Sequence, residues 1–165
     1  MKMVMEEKLL GLFARLSRAS ARSKLYAMRA KKDGRHDLSH LFLVLADSQS
    51  MQAQRFLMQI RGTVAVTDKN EQTVFAKELP EAINEYVQLM NEAEKEGRKA
   101  LETGFRHSAE VDRLFLKLYE KLNEQPEETD YYVCDFCGYV TTDEPPEHCP
   151  ICTAPKNRFK KVDTG

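Results

Sequence analysis

Apolar residues recur every three or four positions along four stretches of this chain, a spacing that places them on one face of an α-helix. The first stretch covers residues 6 to 32, and the second covers residues 37 to 59. The third covers residues 80 to 96, and the fourth covers residues 101 to 122. The pattern therefore predicts four helices, each with an apolar face that a neighbouring element must cover.

The connections between these stretches differ in length. Asp33 and Gly34 break the pattern after the first helix, and Gly97 marks a short break before the fourth. Residues 62 to 79 show no helical period, so we expect them to form a long crossover. Short turns combined with one long crossover are typical of a ferritin-like four-helix bundle, which makes the predicted fold class mainly α.

The C-terminal part of the chain has a different character. Residues 123 to 130 are polar and predict a linker. Beyond them lie all four cysteines of the chain, in two Cys-x2-Cys pairs separated by eleven residues: Cys134, Cys137, Cys149 and Cys152. We therefore expect two domains, a helical bundle in residues 1–126 and a small metal-binding ribbon in residues 127–165.

The spacing of the cysteines indicates a metal site. Two Cys-x2-Cys turns can hold one tetrahedral metal ion, and Gly138 allows the positive φ that such a turn needs after its second cysteine. Two disulfides are the alternative, but paired Cys-x2-Cys turns without further cysteines favour metal. A ribbon of fewer than about 40 residues cannot fold on apolar burial alone, so we expect it to need its metal.

Five apolar or aromatic side chains are expected to form the small core of this ribbon and to shield the metal. They are Tyr132, Phe136, Tyr139, Ile151 and Phe159.

Charge and hydropathy argue against several classes of function and location. Charged residues make up 31% of the chain, but the net charge is only -1, so no basic surface argues for nucleic-acid binding. We see neither an apolar run long enough to span a membrane nor a secretory signal. Because all four cysteines are assigned to the metal site, we expect a reducing, cytoplasmic location.

The motifs together resemble a known family. Four helices followed by Tyr132-Val133-Cys134-x2-Cys137-Gly138-Tyr139 and Cys149-Pro150-x-Cys152 are similar to rubrerythrin along nearly the whole chain. The resemblance implies a rubredoxin-like domain whose Fe(Cys)4 centre passes single electrons to a di-iron centre that reduces peroxide. It also implies an NADH-linked peroxidase activity in oxidative stress, a redox partner protein and a homodimer.

The di-iron positions depart from the family pattern. The first-helix glutamate aligns with Leu16, and the second-helix Glu-x-x-His aligns with Gln49-x-x-Gln52. On the fourth helix the same motif becomes Asp112-x-x-Phe115. A di-iron site needs carboxylates to neutralise two cations and imidazoles as further ligands, so we expect that no di-iron centre forms.

Two further expectations concern the bundle. On the third helix the family's glutamate pair falls near Glu81 and Asn84, and Glu85 can stand in for either. Inward-facing Gln49, Gln52 and Asp112 are expected to hydrogen-bond to one another or to trapped water. The alternative is that the helices rotate enough for the amides to reach solvent at a bundle end. Burial is expected to raise the pKa of Asp112.

Three functions follow as alternatives. The first is one-electron transfer at an Fe(Cys)4 centre, with a redox partner supplying the chemistry. The second is peroxide reduction at an altered bundle site, with a metal held by a set such as Glu81, Glu85 and Asp112. The third is a zinc ribbon attached to an interaction bundle, since zinc accepts the same four thiolates.

Overall fold

The computed structural model describes residues 2–60, 62–126, 129–142 and 144–163. The prediction of a mainly helical fold with four long helices, followed by a small cysteine ribbon, is confirmed. The chain separates into two compact units, Met1–Val66 and Thr67–Gly165. None of the helices in the described residues is both long and apolar enough to cross a membrane. The boundary predicted between residues 126 and 127 stays a prediction.

The first unit is a hairpin of two helices, α1 (Lys2–Lys32) and α2 (His36–Leu57). Gly34 adopts a φ of 78° in the turn between them, a conformation that glycine reaches without strain. The Arg35 N–H donates to the Ala30 carbonyl at 2.8 Å, and the Gly34 N–H donates to the Lys31 carbonyl at 3.1 Å. These two bonds satisfy carbonyl groups that the end of α1 would otherwise leave unpaired.

Small side chains fill the interface between α1 and α2. Seven of them are buried: Ser20, Ser23, Ala27, Ala30, Ser39, Ala46 and Ala53. The Ser20 hydroxyl donates to the Ala46 carbonyl at 2.7 Å, and the Ser39 hydroxyl donates to the Ala27 carbonyl at 2.8 Å. Such hydroxyl-to-backbone bonds need close helices, and residues without bulky side chains permit that approach.

The second unit begins with a helix that the sequence pattern did not predict. Residues 62 to 66 are not helical, but α3 (Thr67–Glu71) leads into a π-helical segment (Gln72–Glu78) and then into α4 (Leu79–Lys95). The prediction of a crossover without a helix is therefore wrong from Thr67 onward. Phe75 stacks on Tyr119 of the last helix with ring centroids 4.0 Å apart, and this packing holds the segment helical.

The last helix, α5 (Lys99–Glu124), forms a second hairpin with α4. Its turn repeats the bonds of the first hairpin. The Arg98 N–H donates to the Ala93 carbonyl at 2.8 Å, the Gly97 N–H donates to the Glu94 carbonyl at 3.0 Å, and Gly97 has a φ of 69°. Both glycine breaks predicted from the sequence are thus helix-ending turns of one type.

The ribbon is a three-stranded antiparallel sheet. Its strands are β1 (Tyr131–Cys134), β2 (Val140–Thr141) and β3 (Phe159–Val162), in the order β2-β1-β3. Val133 pairs with Val140, and Cys134 pairs with Phe159. A short 3-10 helix (Lys156–Arg158) leads into β3. The sheet therefore fixes one cysteine directly and carries the chain into and out of the cysteine turns.

We expect the close approach of α1 and α2 to be sensitive to side-chain volume. Ala46 is fully buried, so Ala46→Leu should overpack the interface and lower the free energy of unfolding by about 1–3 kcal/mol. Urea unfolding followed by circular dichroism measures this change. Ala14→Leu is the matched control, because Ala14 is exposed on α1. Equal midpoints for both variants would contradict the close-packed interface.

Candidate metal centre

The two cysteine turns share one hydrogen-bond pattern. In the first, the Cys134 N–H donates to the Tyr139 carbonyl at 2.8 Å, and the Gly138 N–H donates to the Cys134 carbonyl at 2.9 Å. In the second, the Cys149 N–H donates to the Ala154 carbonyl at 2.8 Å, and the Thr153 N–H donates to the Cys149 carbonyl at 2.9 Å. The turns are therefore two copies of one local structure, each presenting a pair of thiols.

Each turn also needs a left-handed residue directly after its second cysteine. Gly138 has a φ of 82°, as the sequence predicted. Thr153 occupies the equivalent place with a φ of 63°, although a β-branched residue is strained there. This role of Thr153 was not predicted from the sequence. The signal was its place directly after Cys152, which matches that of Gly138 after Cys137.

The four thiol sulfurs form a compact cluster. All four lie within 4.8 Å of one another. The Cys134 and Cys152 sulfurs are 3.8 Å apart, and the Cys137 and Cys149 sulfurs are 3.6 Å apart. A tetrahedron with metal–sulfur bonds of about 2.3 Å has edges of about 3.8 Å, whereas a disulfide needs about 2.05 Å. The donor set thus fits one tetrahedral metal ion, and none of the four cysteines is in a disulfide.

Burial divides the cluster into an inner and an outer side. Cys134 and Cys149 are each 1% exposed, whereas Cys137 and Cys152 are half-buried. Burial works to raise the pKa of the Cys134 thiol, but hydrogen bonds from the Cys137 and Phe136 N–H groups and from the Cys152 and Cys137 thiols together leave that pKa lowered. Burial raises the pKa of both Cys137 and Cys152. A cation is therefore what allows all four sulfurs to be thiolates together.

Charged and aromatic side chains brace the first turn. The Asp135 carboxylate lies 2.6 Å from Arg158 Nε and 3.2 Å from Lys160 Nζ, which ties the turn to β3 and its preceding 3-10 helix. Tyr139 and Phe159 pack edge to face with ring centroids 6.2 Å apart. Phe136 was predicted to lie in the ribbon core, but that prediction is wrong because its side chain is 69% exposed.

Comparison with known proteins agrees with this geometry. Residues 132–160 match the family model described as rubrerythrin, rubredoxin-like domain. The resemblance to rubrerythrin is confirmed. A rubrerythrin of Porphyromonas gingivalis is 29% identical over 97% of this chain and 90% of its own length. Rubrerythrin-1 of Clostridium acetobutylicum is 29% identical over 93% of this chain and 92% of its own length.

A solved structure titled as the fully reduced, all-ferrous state of nigerythrin also aligns with the chain. Its TM-score is 0.45 and its sequence identity is 21%, and the alignment covers 95% of this chain and 86% of that chain.

The positions that we expected to correspond to the di-iron ligands of rubrerythrin can be examined one by one. In the first unit, the Ser23 hydroxyl donates to Gln49 Oε1 at 3.1 Å, and Gln52 Nε2 donates to the Ser48 hydroxyl at 3.2 Å. The amides therefore bond to serines rather than to each other, and the prediction that Gln52 faces inward is wrong because Gln52 is exposed. In the second unit, burial raises the pKa of Asp112, as predicted.

The structure does not gather the alternative carboxylate set. Within residues 2–60, 62–126, 129–142 and 144–163, the four cysteines are the one group of three or more His, Cys, Asp or Glu residues with ligand atoms close enough for a shared metal. Glu81, Glu85 and Asp112 form no such group. The alternative function, peroxide reduction at a metal held by these three residues, is therefore not supported by a carboxylate cluster in the structure.

We expect the residue after each second cysteine to control how firmly the metal is held. Gly138→Thr should speed metal release to a chelator, because the left-handed conformation costs a β-branched residue about 1–3 kcal/mol. A Cβ there would meet Val111 Cγ1 at an ordinary 3.9 Å, so Gly138→Ala, which adds only that atom, separates backbone strain from a clash of the threonine γ atoms. Thr153→Gly should slow release for the converse reason. Release rates come from stopped-flow absorbance with a chromophoric chelator, and equal effects of both variants would contradict this account.

The half-buried carboxyl of Asp112 should make stability depend on pH. Its pKa lies above the ordinary 3.8, so it destabilises the fold as pH rises through the folded-state pKa and the group ionises. Asp112→Asn should therefore gain stability over the wild type between about pH 4 and pH 7. Urea unfolding across that range measures the difference. Asp47→Asn, at an exposed acid on α2, is the control and should show no such trend.

Proposed function

We propose that this protein transfers single electrons at an Fe(Cys)4 centre held by Cys134, Cys137, Cys149 and Cys152. The observation that carries the proposal is the cluster of four sulfurs within 4.8 Å, in a segment that matches the rubredoxin-like domain of rubrerythrin. Iron bound to four thiolates supplies a one-electron couple with little change in geometry between its two states.

The residues around the sulfurs suit this role. Backbone N–H groups donate to thiols in both turns. In the first turn, the Phe136 and Cys137 N–H groups donate to Cys134, and the Tyr139 N–H donates to Cys137. In the second turn, the Ala154 N–H donates to Cys152. Hydrogen bonds to thiolate sulfur stabilise the more negative state of such a centre and so tune its reduction potential. The chain thus supplies both the ligands and the electrostatic setting for electron transfer.

The outer side of the cluster offers the route for an electron. Cys137 and Cys152 are half-buried, and Phe136 stands exposed beside Cys137. We propose that a redox partner protein docks at this side, where apolar surface and the thiolates come together. Nearby lysines are engaged in ion pairs, Lys156 with Glu144 and Glu147, and Lys161 with Asp130, so apolar contact rather than a free basic patch is expected to guide docking.

We further propose that the helical part carries no di-iron centre and acts as a scaffold for the ribbon. The supporting residues are Leu16 and Phe115, which offer no ligand atoms, and Gln49, whose amide is neutral and hydrogen-bonded to Ser23. Domains at residues 1–126 and 127–165, a homodimer and a cytoplasmic location belong to the same proposal.

Metal content and redox behaviour test this function. Protein purified from its native source should hold one iron per chain, show thiolate-to-iron absorption and bleach with dithionite. Cys137→Ser should lose this reversible signal because one thiolate ligand is missing. Phe136→Ser, at an exposed position next to the ligand, is the control and should keep the spectrum.

Other metal contents would overturn parts of the proposal. One zinc per chain with no colour would replace electron transfer by a structural role. More than one iron per chain together with peroxide turnover would refute the loss of the bundle site.

A further inference from the structure

A cavity of about 730 Å³, open to solvent on one side, lies within the second unit behind the sheet that carries Cys134. Its floor is one face of that sheet, formed by Tyr131, Val133, Val140 and Val162. Val133 pairs with Val140 and Tyr131 pairs with Val162, so the four side chains share a face, while Cys134 points to the opposite face. The cavity is therefore separated from the metal centre by a single sheet.

The other walls come from helices and are strongly apolar. On α5 they include Phe115, Tyr119 and Leu122, and on the π-helical segment they include Val74 and Phe75. With Tyr131 in the floor, four aromatic rings border the space. Its volume falls within the range of about 300–1,000 Å³ that small-molecule sites occupy. Aromatic walls favour an aromatic ligand, because offset and edge-to-face ring contacts add to simple burial.

Polar groups gather along one wall of the cavity. Thr67, Asn70 and Glu71 of α3 line it there, and the Tyr119 hydroxyl donates to Glu71 Oε1 at 2.5 Å. This bond to the Glu71 carboxylate raises the pKa of Tyr119, which keeps the phenol protonated as a donor. A carboxylate can accept several hydrogen bonds, so Glu71 can accept another from a ligand hydroxyl. The same negative charge disfavours an anionic ligand.

We propose that this cavity binds a small, uncharged aromatic molecule of the phenol or naphthol class, with its rings against the sheet and its hydroxyl donating to Glu71. The combination of an aromatic-lined cavity with one acidic acceptor at its edge carries the assignment. Ligand binding in this cavity does not depend on electron transfer at the cysteines, and the binding measurement does not require electron transfer.

Two matched probes test the ligand class. On the metal-loaded full-length protein, 2-naphthol should bind saturably at one site per chain by isothermal titration calorimetry. The probe 2-naphthoate has the same rings but a negative charge, and it should bind roughly tenfold more weakly or worse. Glu71→Gln should reduce that difference, because glutamine keeps an oxygen for Tyr119 but removes the charge.

Cavity-filling variants test the location. Val74→Trp places a large side chain at the cavity wall and should weaken 2-naphthol binding by about tenfold or more. Leu122→Trp is a second variant with the same expected loss. Val64→Trp is the matched control, because Val64 is 68% exposed and lies outside the cavity lining. An unchanged visible spectrum of the iron-loaded variants shows that the metal centre is intact, and an unchanged far-ultraviolet circular dichroism spectrum shows that the helices are intact.

Three results would overturn the proposal. The first is an absence of saturable 2-naphthol binding to the wild type. The second is equal affinity of wild type and both cavity-filling variants. The third is a cavity covered by a second copy of the chain, in which case Val74→Trp would shift the association state in analytical ultracentrifugation while 2-naphthol failed to bind.

Discussion

Four thiol sulfurs held within 4.8 Å of one another are the constraint on which the ribbon depends. Burial raises the pKa of Cys137 and Cys152, so a metal-free cluster resists becoming fully charged. Among the described ribbon residues the buried side chains are Cys134, Val140 and Cys149, and two of these belong to the cysteine cluster. The metal site is thus most of the ribbon's core, and a cation that allows four thiolates supplies folding energy as well as chemistry.

The first unit has a different constraint, because α1 and α2 can pack only if their backbones come close together. Ala46 and Ala53 on α2 are almost completely buried, and serine hydroxyls bond across the α1–α2 interface to backbone carbonyls. In the second unit, Val111 on α5 lies against Gly138 of the first cysteine turn. Gly138 is therefore needed for its positive φ rather than for space, because a Cβ there would make only an ordinary contact with Val111 of α5.

Much of this architecture could be predicted from the sequence, for identifiable reasons. Helices with a regular apolar period were found, and the Cys-x2-Cys spacing identified all four clustered cysteines. The helix from Thr67 was missed because Val74 and Phe75 are adjacent and fit no helical period, while a π-helical turn and stacking on Tyr119 hold them. The helical conformation of this segment depends on a contact with Tyr119, about 45 residues further along the chain. A local sequence pattern cannot show such a contact.

Errors at the ribbon have a common physical origin. Phe136 was predicted to lie in the core because its side chain is hydrophobic. It lies instead in the tight turn between Cys134 and Cys137, and its side chain faces solvent. Thr153 was overlooked because residue type gives no sign of a positive φ, and only the repeat of the two turns reveals it. In both cases the metal-binding geometry overrides the preference of the side chain.

The two candidate metal regions differ in how many ligand atoms they bring together. At the ribbon, four sulfurs lie within 4.8 Å of one another, and burial raises the pKa of Cys137 and Cys152, so a cation is needed to balance four thiolates. At Asp112 burial also raises the pKa, which favours the neutral acid, and among the described residues Asp112 belongs to no group of three or more metal-ligating side chains. Gln49, which we expected at a di-iron ligand position, is neutral and accepts a hydrogen bond from the Ser23 hydroxyl. The clustering of ligand atoms, rather than the charge of any one group, is the physical reason for proposing a redox function in the ribbon.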